Sequence, residues 1–238
     1  MGLITAKGAA AMQSAAQKNI DLSEIMIRLK DKETVRVRLL TSYDYVEYQA
    51  VSSFNLGVYT QPSREPLGEK DYFVEAAKLA KAGKVDEKFD TLYPRKRYLI
   101  AMADIDSGKL RAWDASKTQF NTFVSAVEEY KEVIDDPEEE IIFTFKRTGN
   151  KMETTYSLSP IMRMKDNDKE AYHSFDETIP DVAFFESLLI PRSPELQVSV
   201  LKEAGFPVEE YFPEIDLTEV EGAGSAEKAE EASPLDSI

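Results

Sequence analysis

The stretch Tyr98-Leu-Ile-Ala-Met-Ala-Asp-Ile-Asp-Ser-Gly-Lys-Leu-Arg-Ala-Trp-Asp-Ala-Ser-Lys-Thr-Gln-Phe120 decides the fold class. Two apolar-rich runs, Tyr98 to Ile105 and Leu110 to Ala115, flank Asp106, Ser107 and Gly108, which suit a tight turn, so the stretch reads as a β-hairpin. Directly after it, Ser116 and Gln119 have the spacing of a capping box, in which each side chain bonds the other residue's backbone N–H and opens a helix. Phe120, Phe123, Val124, Val127, Tyr130 and Ile134 then recur at the spacing of one helical face, until Asp135, Asp136 and Pro137 end it.

The same signals extend outward from this unit. Ile141 to Arg147 and Thr154 to Leu158 form a second hairpin around Thr148, Gly149 and Asn150. Thr34 to Leu40 alternates Val35, Val37 and Leu39 with Arg36 and Arg38, a strand with one buried and one wet face. Tyr43 to Phe54, rich in aromatic and β-branched residues, gives another strand. Gln61 to Gly68, with Pro62 and Pro66, reads as a loop, and Asp71 to Gly83 as a short capped helix closed by glycine. Few strands, one long helix and no strand–helix–strand alternation argue against a doubly wound sheet. They point to a mainly β fold with helices (α+β), built on a small closed or half-closed antiparallel barrel. The expected division is a basic N-terminal arm over 1–20, a barrel core over 21–165 with a helical insert at 61–90, and a C-terminal helical extension over 166–218. An acidic tail over 219–238, poor in apolar residues, is expected to be disordered. Within the extension, Asp181 to Leu189 and Pro194 to Ala204 read as helices, the second capped by Ser193 and stopped at Gly205.

Composition narrows the chemistry. With no Cys and His173 as the single histidine among 238 residues, there is no disulfide, thiolate nucleophile, Cys-held zinc or histidine pair. Asp104 with Asp106, and Asp135, Asp136 and Glu138 to Glu140, read first as turn and helix-end residues, so no catalysis, metal or cofactor is expected. No apolar run reaches the ~18 to 20 residues of a membrane span and no secretory leader pattern is present, so a soluble, cytoplasmic protein without membrane contact is expected.

The net charge of −15 is unevenly distributed. From Met1 to Lys165, 25 Lys and Arg balance 25 Asp and Glu, whereas Asp166 to Ile238 carries 4 against 19. A neutral body can therefore present a basic face while an acidic segment is held apart or competes for it. In that body, cations and rings are interleaved. Arg95, Lys96, Arg97 and Tyr98 form one cluster, Arg111, Trp113 and Lys117 another, and Lys146, Arg147 and Lys151 precede Tyr156. Arg36 and Arg38 leave one strand face, and Tyr43, Tyr45, Tyr48, Phe54 and Tyr59 add further rings. Single-stranded nucleic acid needs both chemistries, cations for successive phosphates and flat rings for unstacked bases. Arg36, Arg38, Arg95, Lys96, Arg97, Arg111, Lys117, Lys146, Arg147 and Lys151 are the phosphate candidates, and Tyr48, Tyr98, Trp113 and Tyr156 the stacking candidates. The plainer reading makes alternating aromatics core and scattered lysines solvated surface.

The order of several short motifs resembles the phage single-stranded-DNA-binding proteins of the T-even helix-destabilising type. These are Val35-Arg-Val-Arg-Leu-Leu40, Leu92-Tyr-Pro-Arg-Lys-Arg-Tyr98, Trp113-Asp-Ala-Ser-Lys117, Phe143-Thr-Phe-Lys-Arg-Thr-Gly149, Thr154-Thr-Tyr-Ser-Leu-Ser-Pro160 and Ile179-Pro180, followed by an acidic tail. The resemblance implies an OB-fold whose strands and insert line a cationic, aromatic cleft. It also implies non-sequence-specific binding of single strands during phage DNA replication, recombination or repair, in an infected bacterial host, without catalysis. It further implies that the acidic tail docks phage replication or recombination proteins and competes for the groove, and that Lys7 and Lys18 of the arm serve cooperative self-association. The chain departs from that family in the insert, where Phe54 to Gly83 has no Cys or His to hold zinc. A protein-interaction factor whose acidic third mimics nucleic acid is the alternative.

Overall fold

The computed structural model describes residues 22–150 and 153–217. The arm at 1–20, Lys151 and the tail at 219–238 lie outside the described residues. Seven strands, β1 (Thr34–Arg38), β2 (Tyr45–Ser53), β3 (Val58–Pro62), β4 (Arg95–Asp104), β5 (Lys109–Ser116), β6 (Phe143–Thr148) and β7 (Thr155–Pro160), form one antiparallel sheet. It curls into a half-barrel accompanied by helices, an α+β architecture.

The curl follows from how β4 is paired. The expected hairpin forms, with β5 opposite β4 from Arg97↔Ser116 to Asp104↔Lys109. The other edge of β4 is shared by two segments running in one direction, β2 (Tyr45↔Ile100 to Ala50↔Arg95) and β1 (Val37↔Asp104, Arg38↔Ala103). β1 and β2 thus act as one long strand interrupted between Leu39 and Asp44, and beyond the interruption β1 also pairs with β6. The β6–β7 turn needs its glycine: Gly149 has φ +86°, and a Cβ there would sit 2.3 Å from the Glu153 carbonyl oxygen.

After β5 the capping box forms in both directions, Ser116 with Gln119. The helix it opens, α3 (Lys117–Glu128), packs against both β5 and β7. α1 (Leu22–Ile25) precedes the sheet, and α2 (Tyr72–Lys81), capped by Asp71 on the Phe73 and Val74 N–H groups, lies in the insert. A short α4 (Lys131–Ile134) follows α3. In the extension, α5 (Asp166–His173), α6 (Val182–Leu188), α7 (Pro194–Glu203) and α8 (Val208–Tyr211) follow one another. The Ser193 cap of α7 forms, and Gly205 follows at φ +82°.

Among the described residues apolar side chains gather in four places, the smallest being Ile105 and Ile142 packed with Tyr172 of α5. Val35, Val37, Ile100, Met102, Trp113, Phe123, Phe145 and Leu158 fill the half-barrel. A second core joins the insert to the extension, with Val51, Tyr72, Phe73 and Phe89 packed with Val198, Leu201, Phe206 and Phe212. Third, the outer face of β4–β5, Leu99, Ala101 and Ala112, is covered by Phe185 and Leu188 of α6 together with Leu22 and Ile25 of α1. The extension therefore wraps both lobes. No helix among the described residues is long and apolar enough to cross a membrane.

Candidate nucleic-acid interface

Strand alternation places Tyr45, Glu47, Gln49 and Val51 of β2 on one face. Tyr45 packs on the half-barrel core and Val51 belongs to the insert core, while Glu47 and Gln49 between them are exposed. Their β4 partners on that face are Lys96, opposite Gln49, and Tyr98, opposite Glu47. An open strip of sheet thus lies between two packed lobes. On its half-barrel side the Tyr98 ring stacks on Phe120 at 3.8 Å and 4°, Phe120 meets Tyr45 edge-on at 4.9 Å, and Tyr45 meets Tyr43 at 6.4 Å. The four rings make a continuous row, with Tyr43 55 % exposed and the other three half-buried.

Cations flank this row. Lys96 Nζ lies 2.8 Å from Glu47 Oε1, and the Tyr98 hydroxyl donates to Glu47 Oε2 at 3.0 Å. Lys117, exposed in the first turn of α3, adds to the field at Glu47. Hydrogen bonds from Lys96 and then Tyr98 hold the Glu47 carboxyl below the usual carboxylate range. At the far end Lys131 Nζ donates to the Tyr43 hydroxyl and lies 4.6 Å from the ring centroid, and that hydrogen bond raises its pKa. Arg95 is exposed at the start of β4. Among the described residues no group of three or more His, Cys, Asp or Glu side chains converges as a metal site.

Other candidates are engaged elsewhere. Trp113, expected on the surface beside Arg111, is 2 % exposed and packs on Phe145 (4.8 Å), Tyr156 (4.7 Å) and Phe123 (5.8 Å). Arg111 and Trp113 do share a face, but it is the inside of the half-barrel. There Arg111 donates to Asp104 Oδ2 at 3.0 Å and to the Met26 carbonyl at 2.9 Å. Tyr156 stacks on Phe145 and lines the same core. Arg147 is 1 % exposed, with its guanidinium donating to the Leu29 carbonyl and Thr154 Oγ1, so it ties the segment before β1 to β6. On the outer face, half-buried Tyr48 and Arg97 both donate to Asp114 Oδ1 at 2.9 Å. Burial pushes the Tyr48 hydroxyl pKa well up; burial also works against the Arg97 charge, but Asp114 and Tyr48 outweigh it.

Arg36 meets Asp106 of the β4–β5 turn and Asp168 of the acidic third, and Arg38 meets Asp176 of that third. Arg36 bonds Asp106 Oδ1 at 2.5 Å through Nη2 and Asp168 Oδ2 at 2.7 Å through Nη1. Arg38 Nη1 donates to the Tyr172 carbonyl (2.7 Å) and Asp176 Oδ1 (2.6 Å), with its guanidinium 4.0 Å over the Tyr172 ring. Lys146 is half-buried on β6, opposite Thr34 and Ser157 and away from the ring row. Of the sequence candidates, Lys96, Tyr98 and Lys117 therefore come together, with Arg95 one residue before Lys96 on β4. Phe120, assigned to the core face of the helix, and Lys131 join them unforeseen. No protein-family model matches the chain, and no curated protein matches it at a significant level.

Proposed function

We propose that this protein binds single-stranded DNA without base preference, laying bases along the Tyr43–Tyr45–Phe120–Tyr98 row and phosphates beside Lys96, Lys117 and Lys131. The carrying observation is the unbroken row of partly exposed rings flanked by lysines, beside an open strip between two lobes. Ring faces accept any base, and lysines accept any phosphate, so the chemistry predicts affinity without readout of sequence. The finer fold reading that accompanies it is an OB-type barrel. Its support is the long interrupted strand β1–β2 shared between β4 and β6, and the helix lying between β5 and β6. The setting, coating of single strands during phage replication, recombination or repair, comes from the sequence resemblance.

A second reading, a protein-interaction factor, is favoured by one observation: Arg36 and Arg38 are already bonded to Asp106, Asp168 and Asp176. Fluorescence anisotropy with labelled oligo-dT, mixed-sequence single strands and duplex separates the two. The first reading predicts similar affinity for the single strands, weaker duplex binding and steep loss with salt. Absence of single-strand binding at low salt would overturn it.

A further inference from the structure

Glu47 is the one carboxylate among the uncovered β2 and β4 positions of the open strip, namely 47 and 49 with 96 and 98. It stands where the proposed interface has its densest positive charge. Its two oxygens take the Lys96 ammonium at 2.8 and 3.1 Å and the Tyr98 hydroxyl at 3.0 Å, with Lys117 adding to the field. These are the donors that a phosphate oxygen on a bound strand needs. The Glu47 carboxylate is fully charged at neutral pH and exposed, so fold stability does not require it to be a carboxylate. Gln49, the next residue on the same face, shows that an uncharged amide fits on this strip.

We infer that Glu47 is an affinity-setting residue of the site, an internal stand-in for phosphate that a nucleic-acid strand must displace from Lys96 and Tyr98. The inference rests on the single-strand reading above and identifies what limits it. Displacement leaves Glu47 unpaired and close to the incoming phosphate, which weakens binding and speeds release. It also subtracts Lys96 from the cations available for counterion release, because that lysine is already neutralised before DNA arrives.

The test compares wild type, Glu47→Gln and Glu47→Ala by anisotropy on labelled oligo-dT from about 50 to about 200 mM salt. Trp113 emission reports that each variant keeps its half-barrel core. Glu47→Gln is expected to bind about five- to tenfold tighter at the lowest salt, with a salt slope steeper by up to ~0.7 as Lys96 becomes available. Glu47→Ala is expected to move in the same direction, and Glu75→Gln, a carboxylate paired with Lys78 on the insert helix, to leave binding unchanged. In a Lys96→Ala background the gain from Glu47→Gln should shrink. If wild type binds oligo-dT and neither Glu47 variant binds more tightly, this inference fails while the single-strand reading stands. If neither wild type nor the variants bind, the reading itself fails and the inference with it.

Discussion

Replacing Lys96, Lys117 and Lys131 by alanine, singly and together, tests whether these three cations are the ones that meet phosphate. Each phosphate neutralised on a single strand contributes about 0.7 to the slope of log K against log salt, so Lys117→Ala and Lys131→Ala should each make the slope shallower by about 0.7 and the triple variant by about 1.4, because Glu47 already neutralises Lys96. Between about 50 and about 200 mM salt, a slope contribution of about 1.4 is worth roughly a sevenfold change in affinity, which the triple variant should no longer show. Lys96 is paired with Glu47, so its single effect on the slope should be the smallest of the three. The assay is anisotropy of labelled oligo-dT at five or more salt concentrations, with Lys78→Ala as a control, since that lysine is paired with Glu65 and Glu75 on the insert. All three lysines are on the surface or half-exposed, so the variants should keep wild-type Trp113 emission and cooperative unfolding. A folded triple variant that retained the wild-type slope would refute the placement of phosphate along this row.

Further outcomes follow from the same geometry. Tyr98→Ala removes one face of the Tyr98–Phe120 stack and should weaken oligo-dT binding by about 1 to 3 kcal/mol, the usual worth of one base–ring stack, whereas Tyr98→Phe should retain most of the affinity. Trp113 emission should be blue-shifted and unaffected by saturating oligo-dT, and Trp113→Ala should lower unfolding free energy in urea by about 3 to 5 kcal/mol through the cavity it leaves; quenching by DNA would contradict its burial. His173 Nδ1 and Nε2 lie 3.0 Å from Asp176 and 2.9 Å from Glu140, and these hydrogen bonds raise its pKa above the ordinary 6.5. A raised folded-state value means its contribution to α5 docking is complete below about pH 6.5 and is lost as pH climbs through that higher value. Amide hydrogen exchange in α5, corrected for intrinsic rate, should therefore show protection falling from pH 6 towards pH 9, and His173→Gln should flatten the profile.

Local chemistry carried most of the strand and helix assignments, but not β3: Gln61 and Pro62, read as loop, pair with Val51 and Ala50 on an edge strand, where a proline is tolerated. Asp106-Ser-Gly108, the Ser116–Gln119 box, the Asp71 cap and the Ser193-Pro194 start each act within a few residues, and each appears where its residue types demand. Facing was harder, because period-2 alternation says which side chains travel together and not which side is wet. Arg111 and Trp113 kept company as expected, yet curling turned their face inward. Arg97 and Tyr48 fell on a face covered by α6, whose contribution from residues 185 and 188 has no local signature in β2 or β4. α5 escaped notice for another reason: Asp166 to His173 has little apolar periodicity and no side-chain cap. Its docking rests on Tyr172 packing with Ile105 and Ile142, and on Asp168 and Asp176 reaching arginines 132 and 138 residues earlier in the chain. The ring row combined both difficulties, since Phe120 belongs by spacing to a buried helix face and becomes part of a surface only where α3 meets the mouth of the sheet.

The core shared by insert and extension imposes an order on biosynthesis. Phe73 and Phe89 leave the ribosome well before Val198, Leu201 and Phe206, and the Tyr72 N–H waits 125 residues for the Gln197 Oε1 that accepts its hydrogen bond. Throughout that interval the nascent half-barrel can close on its own partners while the insert displays an uncovered greasy flank, the kind of surface that recruits chaperones or promotes misassembly. A chain released before Val198 would therefore hold a finished sheet attached to an unfinished lobe, a sticky product rather than a smaller working one.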